Sequence, residues 1–170
     1  MSPLRITALD PQKLHFYFPF IKRGLEDILR KNTPRKSRGS LSEVFANTKV
    51  RWRPEDIYAA LAYKTATAYL ASRNRRLLGF FVVHPQPVAF THKTELFLWT
   101  AWTLPLRERH PEDDFPDVIR QSVAFMARLK AEGGHAEMTM LSLRPGFMRR
   151  EPYRTWFEPQ FTSFTLRAIN

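Results

Sequence analysis

The stretch from Thr91 to Phe147 decides the fold. It reads THKTELFLWTAWTLPLRERHPEDDFPDVIRQSVAFMARLKAEGGHAEMTMLSLRPGF. Its pattern predicts a strand over Glu95 to Trp102, a long polar loop, a helix over about Pro116 to Glu132, and a second strand over Ala136 to Leu143. Two strands joined by a helix of this length normally lie parallel and side by side. Ligands of such units bind beyond the carboxyl end of the first strand, so we expect a site between about Trp99 and Arg120.

The residues before this stretch predict a strand followed by a helical region. Apolar and polar residues alternate over Leu4 to Leu9, and apolar residues recur at helical spacing from Leu14 to Leu29. Pro19 and Gly24 interrupt that spacing, so we expect either a kink or two shorter helices. The basic segment Arg30 to Ser40 is expected to be an exposed connector, with a basic arm for phosphates or an acidic partner as the alternative.

A further helix and a hairpin are expected next. Arg53 to Asp56 opens the helix, because proline and acidic residues favour a first turn. Ala66 to Ala71 and the nearly all-apolar Leu77 to His84 predict a hairpin whose second strand is central. Pro85-Gln86-Pro87 is expected to end that strand. Phe157 to Ile169 predicts the last strand or strands.

The predicted order of elements is therefore β-α-α-β-β-β-α-β-α-β. We predict an α/β (α+β) fold with a mixed, mostly antiparallel central sheet flanked by helices on both faces. No repeat or linker divides the 170 residues, and 44% of them are hydrophobic, so we expect one domain over residues 1–170 with a substantial core.

Composition excludes several classes of chemistry. Cysteine is absent, which excludes disulfides and thiolate nucleophiles and fits a reducing cytosol. The five histidines show no metal-ligand spacing, so we expect no metal. No apolar run is long enough for a bilayer, and Met1 to Leu9 has no signal-peptide character, so we expect a cytoplasmic protein. The net charge of +11 attracts anions such as nucleic acid, acidic proteins or phosphorylated cofactors.

The order of elements resembles that of the GCN5-related N-acetyltransferase (GNAT) family over nearly the whole chain. The residues that carry the resemblance are the hairpin Thr67-Ala68-Tyr69-Leu70-Ala71 with Leu78-Gly79-Phe80, the strand Glu95-Leu96-Phe97-Leu98-Trp99, the helix end Gly133-Gly134, the strand Glu137 to Leu143, and Tyr153-Arg154-Thr155-Trp156-Phe157. Together with Ser142 to Phe147, they are most similar to GNAT-like proteins of tailed-phage genomes, which would place the protein in a host cytoplasm.

The resemblance implies acetyl-CoA or CoA as a cosubstrate and an amine as acceptor. It implies that the strand end Trp99, Thr100, Ala101 and Trp102 presents backbone groups to the pantetheine arm. Glu95 would act as general base and Tyr153 would protonate the departing thiolate.

The loop from Leu104 to Asp117 departs from the family pattern, because it has no glycine and carries five carboxylates. Active family members grip the pyrophosphate there with a glycine-rich loop and a helix N-terminus. Charge partners could replace the amides, and the candidates are Arg107, Arg109 and Arg120.

Three functional hypotheses follow from the sequence. The first is an acyl-CoA-dependent N-acyltransferase, in which positioning of amine and thioester supplies most of the catalysis. The second is a catalytically degenerate GNAT-like protein, with or without CoA, that binds a host protein. The third is nucleic-acid binding, which predicts a steep loss of affinity with salt.

Overall fold

The protein is described by a computed structural model that covers residues 2–48, 50, 52–87, 93–134 and 138–140. In this part of the chain, five strands form one sheet in the order β1-β2-β3-β4-β5. The strands are β1 (Arg5–Ala8), β2 (Thr67–Arg73), β3 (Arg76–Pro87), β4 (Thr94–Thr103) and β5 (Met138–Met140). The α-helices are α1 (Leu14–Lys31), α2 (Leu41–Asn47), α3 (Pro54–Ala62) and α4 (Phe115–Glu132).

The sheet is mixed, as the sequence predicted. Strands β1 to β4 pair antiparallel in chain order, and β5 pairs parallel with β4 after the crossover through α4. Two core clusters include residues from opposite faces of the sheet. The larger is built with α1, α3 and the first turn of α4, and the smaller with the later part of α4. The predicted fold class is therefore confirmed. The strand expected over Phe157 to Ile169 lies outside the described residues.

The hairpin between β2 and β3 is closed by a two-residue turn. Arg73 pairs with Arg76, and the intervening Asn74 and Arg75 both have positive φ, at 51° and 62°. Two consecutive left-handed residues match the right-handed twist of the flanking strands, which is why such turns close hairpins. The turn therefore brings two arginines side by side at one end of the sheet.

Two details differ from the sequence expectation, and one agrees with it. Helix α1 is one continuous helix that contains Pro19, so the alternative of two shorter helices is wrong. Helix α2 agrees with the sequence, because Ser40-Leu41-Ser42-Glu43 predicts the start of a short amphipathic segment and forms its capping box. Strand β3 continues through Pro87, because β2 pairs with it only as far as Val83 and prolines are tolerated where a strand is an edge.

Gly24 explains how α1 approaches the sheet so closely. A Cβ at this buried position would lie 2.5 Å from Cε1 of Phe80 and 2.7 Å from Cδ2 of Trp102. Both atoms belong to rings in the main core cluster, which also contains Ile21 and Leu25 of α1. The glycine that interrupts the sequence pattern is thus a close-packing position rather than a helix break.

We predict that Gly24→Ala destabilises the protein by about 1–2 kcal/mol. Overpacking costs roughly 1–3 kcal/mol, and the better helix propensity of alanine returns up to about 1 kcal/mol. Urea denaturation measures the change. Gly39→Ala is the matched control, because the methyl group there meets only the flexible carboxylate of Glu43. Equal effects in the two variants would show that close packing at Gly24 is not the cause.

Candidate functional site

A β-bulge interrupts β4 at Trp99. Val83 pairs with Leu98 and the adjacent Val82 pairs with Thr100, so Trp99 has no residue opposite it on β3. In the described residues, β4 pairs with β5 only up to Leu98, which lies opposite Met140. A bulge bends and twists a strand locally. The bend therefore falls one residue after Leu98, which pairs with Met140 of β5.

The residues after the bulge point to alternate faces of the sheet. Thr100 and Trp102 lie opposite Val82 and Phe80, on the α1 side, and both are buried. Ala101 lies opposite Phe81, on the α4 side, yet it is exposed. At position 101, β4 therefore presents only a methyl group to the space on the α4 side.

Trp102 ties this part of β4 to α1. Its indole N–H donates a hydrogen bond to Oδ2 of Asp27 at 2.8 Å, and its ring is only 6 % exposed. The guanidinium carbon of Arg23 lies 6.0 Å from the centroid of the same ring. A buried tryptophan whose polar atom is satisfied fixes the backbone around it.

Glu95 lies on the same strand, before the bulge. Its carboxylate accepts a hydrogen bond from the side-chain amide of Gln86, its cross-strand partner, and it is half-buried. Further along this face, the ring of His84 packs against Phe97 and Trp99 with centroid distances of 5.5 and 5.3 Å. On the α1 face of the sheet, the carboxylate of Glu95 is therefore followed by the rings of His84, Phe97 and Trp99, and Trp99 is the bulged residue.

The loop between β4 and α4 is held by the two arginines of the hairpin. Arg76 Nη1 lies 2.5 Å from Oδ2 of Asp113. Arg73 Nη2 lies 2.7 Å from Oδ2 of Asp117, and its Nη1 donates to the backbone carbonyl of Asp113 at 2.6 Å. The side chains of Arg73 and Asp113 are only 4 % and 6 % exposed. These acidic residues are therefore neutralised inside the fold.

The N-terminus of α4 is capped by the chain itself. Asp114 has a left-handed backbone with φ 45°, and its Oδ1 accepts the N–H of Asp117 at 3.3 Å. The N–H of Val118 donates to the carbonyl of Asp114, and Pro116 has no N–H. Three of the first four amide positions are therefore occupied or lack a hydrogen, so this helix start does not form an open amide cradle for phosphate.

The three arginines predicted to bind CoA differ in their surroundings. Arg107 is 85 % exposed and lies 3.6 Å from Glu108. Arg120 is 70 % exposed and pairs with Asp117. Arg109 lies within the loop, where its Nε donates to the carbonyl of Leu104 at 2.7 Å and its guanidinium stacks 4.1 Å from the centroid of Phe115. Two of the three guanidinium groups are thus presented to solvent.

Glu108 joins the loop to α1. Its carboxylate accepts a hydrogen bond from Arg23, which is the main reason why its pKa is lowered. Its backbone carbonyl accepts a hydrogen bond from Arg76. The loop is therefore fastened from two directions, by the hairpin and by α1.

The structure brings most of the predicted site residues to one end of the sheet. Trp99 to Trp102, Arg107, Arg109 and Arg120 lie on β4, the following loop and α4. Tyr153 lies outside the described residues. Sequence reasoning missed Arg73 and Arg76. Both flank the polar turn at Asn74-Arg75, and their positive charge is opposite to that of the acidic residues in the loop.

Comparison with solved structures identifies the fold. The chain aligns with a ribosomal-protein-alanine N-acetyltransferase from Brucella melitensis biovar Abortus, with TM-score 0.61, 14% identity, and coverage of 98% of this chain and 99% of the other. The fold is that of the GNAT acetyltransferases. An aminoglycoside acetyltransferase from an uncultured soil metagenomic sample, in complex with sisomicin, aligns with TM-score 0.63 and 13% identity over 98% and 97% of the two chains.

A third GNAT-fold structure is a predicted acetyltransferase from Clostridium acetobutylicum with acetyl-CoA, with TM-score 0.61 and 12% identity over 97% of this chain and 96% of the other. No protein-family model matches the sequence, and no curated protein matches it. At these identities the likeness establishes the GNAT fold, and function has to be argued from the site.

Two general features complete the description of the residues covered by the structure. Among them, no group of three or more histidines and carboxylates is arranged to hold a metal ion. None of the helices described here combines the length and hydropathy needed to cross a bilayer.

We predict that Asp117→Ala lowers the free energy of unfolding by about 2–3 kcal/mol, because it leaves the buried Arg73 without its carboxylate. Arg120→Ala removes the exposed partner of the same carboxylate and should cost less than about 1 kcal/mol. Chemical denaturation of both variants measures the difference. Similar losses would contradict a dominant role for the buried pair.

The contribution of Asp117 to the free energy of unfolding should disappear at low pH. A hydrogen bond from Arg120, assisted by Arg73 and Gln121 against the opposing effect of burial, lowers the pKa of Asp117 from its ordinary value of 3.8. A carboxyl with a lowered folded-state pKa stabilises the fold above its unfolded pKa and loses that effect as pH falls through the folded value. The difference between wild type and Asp117→Ala should therefore shrink below about pH 4. A difference that is constant down to about pH 2 would contradict this assignment.

Proposed function

We propose that this chain is an acyl-CoA-dependent N-acyltransferase of the GNAT type. The observation that carries the proposal is the bulge at Trp99 in the β3–β4 ladder, within a fold shared with acetyltransferases. A bulge locally disrupts the hydrogen-bond ladder, and unpaired backbone groups of a strand can serve as donors and acceptors for an extended amide chain. The pantetheine arm of CoA is such a chain.

The surroundings of residues 99–102 fit this cosubstrate. Trp102 is anchored through Asp27, so the β4 backbone is held rigidly beside the proposed thioester position. Ala101 leaves room on the α4 side because its side chain is a single methyl group. We assign Trp99, Thr100, Ala101 and Trp102 to the pantetheine contact on these grounds.

The phosphate end of CoA would be bound by side chains rather than by backbone amides. Arg107 and Arg120 are the exposed cations of the predicted set, and the acids beside them are already paired with arginines. Arg109 would share its guanidinium between Phe115 and the ligand.

The chemistry would be direct transfer from thioester to amine. Glu95 accepts a proton from the acceptor ammonium, directly or through water, and the neutral amine nitrogen attacks the thioester carbonyl carbon. The new C–N bond forms and the C–S bond breaks. The CoA thiolate takes a proton from Tyr153, and the second proton that the nitrogen releases returns through water to the tyrosine oxygen, which leaves a neutral amide. The hydrogen bond from Gln86 holds the Glu95 carboxylate on the same sheet face as Trp99.

The occupied start of α4 favours one alternative, a GNAT-fold protein that no longer turns over acyl-CoA and acts by binding a host protein. The resemblance to GNAT-like proteins of phages and a location in a host cell are compatible with both the enzyme and this alternative. Titration with acetyl-CoA separates the two. Absence of heat at near-millimolar ligand would exclude the enzyme, and binding without turnover on any amine would leave the alternative.

The first experiment is calorimetric titration with acetyl-CoA and CoA. We expect the double variant Arg107→Ala/Arg120→Ala to bind at least tenfold more weakly, because the two exposed cations assigned to the phosphates are lost. Arg35→Ala/Lys36→Ala is the control, since it removes two exposed cations in the α1–α2 connector. An equal loss in both double variants would indicate general attraction by net charge instead of a site.

The second experiment tests whether Glu95 is the general base. With an amine panel that contains an aminoglycoside and a peptide with N-terminal alanine, we expect Glu95→Gln to lower kcat roughly 10²–10⁴-fold with little change in acetyl-CoA affinity. Glu112→Gln, which changes an exposed loop carboxylate, should retain activity. Wild-type kcat in Glu95→Gln would exclude Glu95 as the base. The panel follows the amines named for the structural neighbours.

A further inference from the structure

A groove separates β1 from α4, away from the proposed acyltransfer site. It measures about 390 Å³. The residues that line it are Leu4, Arg5, Ile6 and Thr7 on one wall and Gln121, Ala124, Phe125 and Arg128 on the other. None of these residues belongs to the bulge, to the loop after β4 or to the set assigned above to CoA.

The strand wall of the groove is an edge. In the described part of the chain, β1 is the first strand of the sheet and pairs only with β2. Consecutive strand residues point to opposite sheet faces, so a groove bordered by four residues in a row, Leu4 to Thr7, runs along the strand edge. An unpaired edge exposes N–H and C=O groups that an added strand can use.

The helix wall matches the edge in length. Gln121, Ala124, Phe125 and Arg128 recur at positions i, i+3, i+4 and i+7, which is one face of α4. Seven helical rises span about 10 Å, and four strand residues span about 13 Å. The groove therefore fits an extended segment of about four residues between strand and helix.

The side chains that line the groove indicate which kind of extended segment it can bind. Leu4, Ile6 and Phe125 are half-buried and supply an apolar floor. Arg5 and Arg128 are exposed, one on each wall, and the eight lining residues include no carboxylate. The guanidinium of Arg128 lies 5.6 Å from the centroid of Phe125, so its charge stays over the floor.

We propose that this groove binds an extended acidic peptide segment of a partner protein, which adds to β1 as an additional strand. Apolar side chains of the segment would rest on the floor, and its carboxylates would lie on the other face of the added strand, beside Arg5, while Arg128 adds positive charge at the rim of the floor. The protein's net charge of +11 steers such a segment towards it. This mode combines backbone pairing for affinity with side-chain contacts for specificity.

Charge also argues against a second copy of this chain as the occupant. Two β1 edges paired with each other would bring two Arg5 and two Arg128 side chains into one groove. Four guanidinium groups without a carboxylate among the lining residues repel one another. An acidic segment instead relieves the charge that is already present.

The test uses a fluorescein-labelled octapeptide of alternating glutamate and valine, followed by fluorescence anisotropy at low salt. We expect saturable binding to the wild-type protein. Two control peptides carry lysine in place of glutamate, or proline in place of every second valine to remove backbone donors. Both should bind at least tenfold more weakly. Equal binding of the proline peptide would overturn strand addition.

Two variants separate the groove from general charge. Arg5→Glu/Arg128→Glu should weaken binding of the glutamate peptide roughly tenfold, whereas Lys22→Glu/Arg35→Glu, with the same net charge, should change it less than twofold. Ala124→Trp fills the groove from an exposed helix position and should abolish binding while the unfolding midpoint in urea is retained. Unchanged binding in Ala124→Trp would overturn the proposal. A concentration-dependent dimer that Ala124→Trp dissociates would also overturn it, in favour of self-association.

Discussion

The contact between the arginines of the β2–β3 hairpin and the acids of the β4–α4 loop is the constraint on which this end of the molecule depends. The buried Arg73 requires a carboxylate, because an unpaired guanidinium in a protein interior is strongly unfavourable. Asp117 supplies that carboxylate from the first turn of α4, and Arg76 holds Asp113 beside it. The position of α4, the course of the loop and the direction of the exposed arginines all follow from this contact.

The same contact also determines how much of the negative charge of the loop reaches the surface. A loop rich in aspartate beside a phosphate-binding position looks repulsive when only its own residues are considered. Asp113 and Asp117 are turned inward and paired, and Glu108 is paired with Arg23. Arg107 and Arg120 reach the solvent, together with the carboxylate of Glu112. A chain without glycine at this position therefore keeps a positive surface by a different route from a backbone cradle.

Hydrophobic periodicity was sufficient to predict the strands, the long helices and their mixed arrangement, because these features depend on local patterns of two and 3.6 residues. Periodicity could not predict the bulge at Trp99, because an extra residue in one strand can be recognised only from its pairing with the neighbouring strand. Gly24 was interpreted as an interruption because the rings of Phe80 and Trp102 that it contacts are remote in sequence. The pairing of Arg73 with Asp117 joins residues 44 positions apart, and no local signal predicts such a pair.

The two-residue turn at Asn74-Arg75 has a consequence for the order of folding. The hairpin that it closes is built from contacts between neighbours in sequence, so its formation requires little loop closure. Docking of the loop against Arg73 requires closure over many more residues, after β4 has been added. We therefore expect the hairpin to form early and the ligand-binding end to assemble late, so that damage to the arginine–aspartate contact accelerates unfolding more than it slows folding.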